Sequence, residues 1–236
     1  PADRVTVRLL HLPPMPERQL RRAVALELGS TVLLPFDDPV FDAVRVPPLG
    51  ESEEGVGAVL VVAASRTYVE RGLALVRAAG LVPAAVDIAP LARLRVAGAM
   101  AWRTPGVHVL VHMDPADTTI GIVANGALYF LRTIEHAWNG ESPPDWPARM
   151  ADIVYEVERV TQFFQFNLAG RETPVDGVWL SGEALQEAEA VRRFESLAGL
   201  PVTALPIEVT AGRPVLHLPA ERYATAAGLA LKGGSR

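Results

Sequence analysis

The sequence predicts an α/β protein made of α+β layers, because strand-like and helix-like segments follow one another in two distinct groups. In the first group, between Val5 and Ile88, the order is strand, helix, strand, strand, helix and strand. The second group opens with three consecutive strands within Val107–Phe130, and the last two are joined by an Asn-Gly turn, a strong hairpin signal. Hydrophobic residues make up 50% of the 236 residues, which is enough for one large domain or two small ones.

In the first group, prolines, glycines and apolar spacing mark where each element begins and ends. Pro13–Pro16 stops the first strand and opens a helix over Glu17–Leu28, whose apolar residues fall on one face. Ser65 occupies the N-cap position of a second helix, which ends at Gly80. The other predicted elements are strands at Val5–Leu12, Val40–Val46, Ala58–Ala63 and Leu81–Ile88 and a short helix at Pro90–Met100.

The second group begins after Trp102–Gly106, a stretch whose proline and glycine predict a boundary between residues 1–101 and 107–236. A proline-rich loop is predicted at Trp138–Pro147. The strongest helix follows at Ala151–Leu168, where apolar residues recur every three or four positions. The remaining elements are predicted as a strand at Val175–Leu180, a helix at Glu183–Ala198, a strand at Val202–Leu205 and a helix at Arg222–Lys232.

Composition argues against several classes of function. The net charge is -5 and no basic cluster is interleaved with aromatic residues, so no nucleic acid partner is predicted. Cysteine is absent, which excludes disulfides and cysteine–zinc sites. No apolar run reaches the roughly 18 residues that a membrane-spanning helix needs, so no direct membrane span is predicted.

Candidate chemistry is sparse in this sequence. His108 and His112 lie four apart on one strand face, but neither cysteine nor a second histidine cluster accompanies them, so no metal is predicted. Nucleophile-elbow, P-loop and zinc-protease motifs are absent, and no catalytic residue is assigned. Phe163 and Phe166 fall off the apolar stripe that Phe164 occupies, which makes either one a candidate partner contact.

Six segments share a pattern with one known family, in the same order along the chain. The most telling are LPPMPERQLRRAVALE, which begins at Leu12, and GLVPAAVDIAPLA, which begins at Gly80. Together they resemble the PilM family, the actin-like cytoplasmic protein of the type IV pilus inner-membrane platform. The segments are Val7–Asp38, Val59–Ala92, Val107–Thr133, Tyr155–Gly170, Val175–Ala184 and Tyr223–Gly233.

The resemblance implies an actin-like ATPase (ribonuclease H-like) fold that lacks much of the N-terminal first-phosphate subdomain. Residues 1–101 would be an α+β subdomain resembling the actin-like inserted subdomain of the 1C type. Residues 107–236 would be the C-terminal actin-like subdomain with a reduced helical insertion. The implied cofactor is ATP with Mg²⁺. Its phosphate side would be Asp114, Thr118 and Thr119, and its adenosine side Ser181 and Gly182.

Departures from the family pattern favour a degenerate site that binds nucleotide weakly or not at all. Pro115 follows Asp114 where the family has glycine, and proline offers neither an N–H nor glycine's backbone freedom. Glu183 follows Gly182 where a further glycine is expected, and it adds a negative charge near the phosphates. Two plainer interpretations therefore stay open: Asp114 accepts local N–H groups in a polar turn, and Ser181 is a helix N-cap.

The favoured function is a cytoplasmic scaffold, peripheral at the inner-membrane face, that is not an enzyme. By resemblance it would bind the N-terminal cytoplasmic peptide of a PilN-like membrane protein, and other pilus platform proteins or a second copy of the chain are further expected partners. Two alternatives are a functional ATP-binding pilus assembly ATPase and the cytoplasmic domain of a type II secretion platform protein. The candidate peptide contacts are Leu9, Leu12, Met15, Leu20 and Leu34.

Overall fold

The chain divides into two compact units, Pro1–Val86 and Asp87–Arg236. The computed structural model describes residues 4–30, 32–47, 49, 57–95, 105–136, 144–169, 173–186, 189–205 and 220–233. The boundary predicted at Trp102–Gly106 and the loop predicted at Trp138–Pro147 lie mostly outside these described residues.

The first unit is a three-stranded antiparallel sheet with two helices. Its strands are β1 (Val5–Leu12), β2 (Pro39–Val46) and β3 (Gly57–Ser65), in the spatial order β1-β3-β2. The helices are α1 (Glu17–Ser30) and α2 (Arg66–Ala78). All five elements were predicted from the sequence, with limits that differ by at most a few residues.

One face of this sheet forms a core with α1. Leu20 and Val24 of α1 are fully buried against Val59 and Val61 of β3, because the helix places its apolar stripe on the sheet. The alternation of β3 directs its other residues to the opposite face. Ser65 occupies the N-cap position of α2, as predicted, but its side chain makes no capping hydrogen bond.

Residues 81–88 form no strand, contrary to the prediction. Pro83 has no N–H to contribute to a ladder, and Val82 is 91% exposed, so this segment has neither the hydrogen bonds nor the burial of a strand. At its end, the buried carboxylate of Asp87 is paired with Arg95 at 2.8 Å and with Lys232 at 3.1 Å. The segment ends in an ion-pair cluster within the second unit.

The second unit is a five-stranded mixed sheet in the order β6-β5-β4-β7-β8. Strands β4, β5 and β6 are antiparallel, whereas β7 runs parallel to β4 and β8 runs parallel to β7. The strands are β4 (Val107–Met113), β5 (Asp117–Ala124), β6 (Ala127–Glu135), β7 (Gly177–Ser181) and β8 (Val202–Ala204). The helices are α3 (89–95), α4 (Trp146–Phe164), α5 (Ala190–Ala198) and α6 (Ala220–Gly233).

Turn chemistry accounts for two of these limits. Asn125 and Gly126 both adopt positive φ in the β5–β6 turn, as the Asn-Gly signal predicted. Helix α4 begins before the predicted Ala151, because Asp145 caps it by accepting the N–H of Ala148 at 3.1 Å. Proline near the first helical position, where no N–H is needed, suits this earlier start.

The helix predicted over Glu183–Ala198 is two separate pieces. A 3-10 turn covers Glu183–Gln186 and α5 covers Ala190–Ala198. Glu189 lies between them in the left-handed region at φ 66°, a conformation that does not continue a right-handed helix. Helix α4 likewise changes to a π-helix at Gln165–Ala169, within the predicted Ala151–Leu168 span.

Candidate functional site

The C-terminal ends of β4 and β7 bring three predicted site residues together. His112 of β4 lies opposite Ser181 of β7 on one side and opposite Thr119 of β5 on the other. The side chains of His112, Ser181 and Thr119 therefore share one face of the sheet. Asp114 follows directly after β4, and Gly182 directly after β7. The parallel pairing of β4 and β7 therefore places Asp114, Ser181 and Gly182 side by side, as the resemblance implied.

His112 connects Ser181 to Asp114 through a continuous line of hydrogen bonds. Its Nδ1 lies 2.9 Å from Ser181 Oγ, and its Nε2 lies 2.9 Å from Asp114 Oδ2. Burial lowers the pKa of His112, and the nearby charge of Arg93 acts in the same direction, against the influence of Asp114. The imidazole is therefore neutral at pH 7.

The charge state determines which atoms donate in this line. Burial alone would raise the pKa of Asp114, but the hydrogen bond from His112 and the charge of Arg93 outweigh it, and the pKa is lowered. An ionised carboxylate only accepts, so His112 Nε2 carries the proton. His112 Nδ1 is then an acceptor, and it receives the hydroxyl proton of Ser181.

Arg93 of α3 is a buried cation beside this network. Its guanidinium lies 3.9 Å from Asp114 Oδ2, and its Nε donates to Thr225 Oγ1 of α6 at 3.0 Å. The residue is only 8% exposed, and burial lowers its pKa. Arginine stays charged in such surroundings, so Asp114 has an internal counter-ion within its own unit.

The second oxygen of Asp114 is also engaged. The backbone N–H of Glu183 donates to Asp114 Oδ1 at 3.3 Å, so the loop after β7 is bonded to the end of β4. Gly182 makes this approach possible: it lies at φ 98°, and an added Cβ would collide with the backbone of Met113. The hypothesis that Asp114 accepts local N–H groups is therefore wrong, because its N–H partner lies in a distant loop.

Hydrogen bonds fix the turn that contains Pro115. Asp114 N–H donates to Asp117 C=O at 2.9 Å, and His136 N–H donates to Ala116 C=O at 2.8 Å. Arg149 of α4 donates to the Pro115 carbonyl at 2.7 Å. The turn presents a proline ring and an engaged carbonyl where a phosphate cradle needs free N–H donors.

Thr118 and Thr119 do not act together. They are consecutive in β5, so their side chains point to opposite faces of the sheet. Thr119 lies on the His112 face, 3.5 Å from Thr133 Oγ1, whereas Thr118 Oγ1 bonds His136 Nε2 at 2.8 Å on the other. The five residues predicted to hold a nucleotide are thus divided between two faces.

Both carboxylate oxygens of Asp114, which the resemblance placed on the phosphate side, already have partners within the protein. Asp114 Oδ2 is engaged by His112 and Arg93 and Oδ1 by Glu183, so coordination of a cation would require breaking these contacts. Ser181, predicted as a possible N-cap, is instead bonded to His112 and lies 3.3 Å from the Val111 carbonyl. The Ser181–His112–Asp114 line resembles a nucleophile relay, but Ser181 is 1% exposed and out of reach of a substrate.

The two histidines of β4, His108 and His112, both make contacts within the protein. His108 stacks on Trp179 with ring centroids 4.4 Å apart, and burial lowers its pKa. Across the described ranges, no three histidine or carboxylate side chains lie close enough together to hold a metal ion. Arg93 and Arg149 were missed from the sequence, since no motif marks an arginine that folds back onto a distant turn.

The candidate peptide contacts of the first unit do not form one exposed set. Leu12 and Leu20 are 6% and 1% exposed and belong to the core under α1, so the exposure expected of them is wrong. Met15 and Leu34 are partly buried and pack against the same core. Leu9 precedes Leu10, which packs on the α1 side, so Leu9 points to the opposite sheet face.

Comparisons with known proteins show the fold. A chain of the PilM-PilN type IV pilus biogenesis complex matches with a TM-score of 0.75 and 21% identity, over 99% of this chain and 77% of that one. The chain shares the fold of that matched chain, as the resemblance to the actin-like PilM family predicted. The likeness to the PilM family that the sequence predicted is therefore present at the level of the fold. No family model matches the sequence, and neither does any curated protein.

Two further solved structures are similar at a lower level and carry no argument. One is a Bacteroides thetaiotaomicron protein with an actin-like ATPase fold and unknown function, at TM-score 0.45, 10% identity and coverage of 85% and 66% of the two chains. The other is the cytoplasmic domain of EpsL, an inner membrane component of the Vibrio cholerae type II secretion system, at TM-score 0.46, 12% identity and coverage of 97% and 71%. None of the helices in the described residues combines the length and hydrophobicity that crossing a membrane demands.

Proposed function

We propose that this protein is a scaffold of a type IV pilus inner-membrane platform, peripheral on the cytoplasmic face, that binds nucleotide weakly or not at all. The fold supports this role through its likeness to the matched chain of the PilM-PilN complex over 99% of the present chain. The contacts of Asp114 and of the Pro115 turn, at the end of β4, support weak or absent nucleotide binding. An Asp114 that already has internal partners is less available to a Mg²⁺–phosphate group.

The observation that carries the proposal is the engagement of Asp114 by three groups. His112, Arg93 and the N–H of Glu183 supply a hydrogen bond, a charge and a second hydrogen bond to one carboxylate. A cation that displaced them would leave a buried guanidinium and a buried imidazole N–H without their carboxylate partner. Each lost partner costs about 1–3 kcal/mol, which any metal–nucleotide affinity would have to overcome.

The proposed partner is the N-terminal cytoplasmic peptide of a PilN-like membrane protein, bound by the first unit. Leu9 is the best placed of the predicted contacts, since it is partly exposed and lies outside the α1 core. Extended peptides are commonly held along a sheet edge, and β1 is an edge strand of its sheet. Other platform proteins and a second copy of the chain are further proposed partners.

Titration of the full chain with a fluorescein-labelled PilN-like N-terminal peptide tests the partner. We expect saturable micromolar binding that Leu9→Glu weakens about tenfold, corresponding to about 1.4 kcal/mol. Val82→Glu is the matched control, because Val82 is an exposed apolar residue of the same unit outside the predicted contacts. The partner is refuted if the peptide does not bind up to high micromolar concentration.

Calorimetric titration with ATP and Mg²⁺ tests the nucleotide part independently. We expect no heat of binding in the micromolar range. A clear micromolar dissociation constant that Asp114→Ala abolishes would favour the alternative, a functional ATP-binding pilus assembly ATPase. Such a result would leave the peptide experiment unaffected, so the two parts of the proposal succeed or fail separately.

A further inference from the structure

A groove with three arginines runs between α1 and β2 in the first unit. We call it the arginine groove; its volume is about 680 Å³. Arg18, Arg21 and Arg22 of α1 recur at spacings of three and four residues, so they project from one face of the helix toward Phe41 of β2. The lining residues are Arg18, Gln19, Arg21, Arg22, Ala25 and Phe41, and none of them is acidic.

Two of these three arginines have no partner among the residues that the structure describes. Arg18 and Arg22 are exposed, and within the described part of the chain neither forms a hydrogen bond or an ion pair. Arg21 lies over the Phe41 ring at 5.2 Å and reaches Asp42 at 3.8 Å, but both charged side chains of that pair are largely exposed. Such an exposed pair is weak, so Arg21 can exchange partners easily.

The charge and shape of the groove indicate what would occupy it. The chain has a net charge of -5, so a concentration of unpaired guanidinium groups on one helix face is an exception that attracts an anionic partner. Guanidinium groups bind carboxylates through paired hydrogen bonds. Ala25 and Phe41 also line the groove and add apolar surface beside the charges, which suits a side chain rather than an ion alone.

An anionic membrane is the weaker explanation. Basic clusters that bind anionic lipid usually contain four to eight cationic residues. Here only three arginines lie together, and an aromatic ring lines the groove beside them. Strand β2 is an edge strand of its sheet and borders the same groove, so an extended chain could lie alongside it.

We propose that the arginine groove binds an acidic, extended peptide segment of a partner protein. Carboxylates of the segment would pair with Arg18 and Arg22, and an apolar side chain between them would pack on Phe41. This binding site is separate from the one proposed for the PilN-like peptide. The proposal does not depend on which partner contacts Leu9. Because the arginines are exposed, the affinity would be modest and would weaken as salt screens the charges.

Fluorescence anisotropy with a labelled peptide of alternating aspartate and leucine tests this proposal on the full chain. We expect saturable binding, and the double variant R18E/R22E should weaken it at least about tenfold through charge reversal. The matched control is R71E/R77E, which makes the same charge change at exposed arginines of α2 in the same unit. It should stay within about twofold. A second probe with asparagine in place of aspartate should bind at least about tenfold more weakly.

Three results would overturn the proposal. Equal losses in R18E/R22E and R71E/R77E would mean that the peptide responds only to overall charge. No saturable binding up to millimolar concentration would mean that the groove takes no such segment. In the third result, the unaltered protein binds phosphatidylglycerol vesicles, R18E/R22E loses that binding, and the acidic peptide does not compete for it. That result would assign the arginines to a membrane surface. Circular dichroism of each variant keeps misfolding from being mistaken for lost binding.

Discussion

Arg93 and Asp114 face each other across 3.9 Å in the second unit, a buried guanidinium beside the carboxylate that the sequence resemblance assigns to a phosphate site. Arg93 also donates to Thr225 of α6, so one side chain connects α3, the end of β4 and the C-terminal helix. The carboxylate thus contributes to the internal structure of this unit. Its removal should then affect stability before it affects any ligand.

Asp114→Ala is expected to lower the free energy of unfolding by about 1–3 kcal/mol at pH 7.5, because it leaves the Arg93 charge and the His112 Nε2–H buried without an acceptor. Urea denaturation followed by circular dichroism measures it. Glu158→Ala is the control, since Glu158 is exposed on α4 and should change stability by less than about 0.5 kcal/mol. Equal small effects of both variants would contradict a structural role for Asp114.

Acidification is expected to destabilise the protein through its buried histidines. Burial lowers the pKa of His112, so below about pH 6.5 the unfolded chain binds a proton that the native protein does not. The free energy of unfolding should therefore be constant above that pH. It should fall as the pH decreases toward the native pKa, by up to about 1.4 kcal/mol per pH unit for each such histidine.

His112→Gln should remove part of this pH dependence, because glutamine does not titrate. The variant will be less stable at pH 7.5, yet the difference between its stability at pH 7.5 and pH 5.5 should be smaller than in the unaltered protein. His108 and His136 should supply the remaining slope, since burial lowers their pKa values too. An unchanged slope in urea titrations at the two pH values would refute the assignment to His112.

Local patterns were sufficient to predict most of the elements. The Asn125–Gly126 turn and the apolar stripe of α1 each depend on a few neighbouring residues, and both were predicted correctly. Residues 81–88 were misread because their apolar content resembles a strand, although Pro83 and the buried ion pairs of Asp87 hold the segment otherwise. Apolar content alone does not distinguish a strand from an extended connection.

The site was less predictable because its contacts join distant segments. Asp114, Ser181 and Gly182 were placed together by resemblance, and the parallel pairing of β4 with β7 accounts for it. Arg93 left no signal, since an arginine that approaches a carboxylate from another helix has no spacing rule. The opposite directions of Thr118 and Thr119 followed from strand alternation and could have been foreseen.

Gly182→Ala is expected to destabilise the second unit by about 1–3 kcal/mol or more. The new Cβ would meet the backbone of Met113, and alanine is strained at φ 98°. The displaced loop should also lose the Glu183 N–H bond to Asp114. Thermal unfolding compared with Gly199→Ala tests it, because Gly199 has a positive φ as well but open space around its Cβ position. An equal loss of stability in both variants would contradict the prediction, because the contact with the Met113 backbone would then add nothing to the strain at positive φ.

Substitution of two helix glycines by alanine distinguishes the effect of packing from the effect of backbone entropy. Gly228 of α6 lies against the backbone of Ala92, and an added Cβ would collide with it. Gly72 of α2 has nothing within 4 Å of its Cβ position. Gly228→Ala should therefore destabilise by about 1–3 kcal/mol through overpacking. Gly72→Ala should stabilise by about 0.5–1 kcal/mol, because alanine loses less backbone entropy in a helix.

Urea unfolding of the two variants, followed by circular dichroism, measures both changes against the unaltered protein. Opposite signs are the expected result, since the substitution is the same and only the surroundings of the new methyl group differ. A stabilising Gly228→Ala would mean that α6 does not approach α3 as closely as the Gly228–Ala92 contact requires. In that case the connection of Arg93 to Thr225 would also be in doubt, because it depends on the same helix placement.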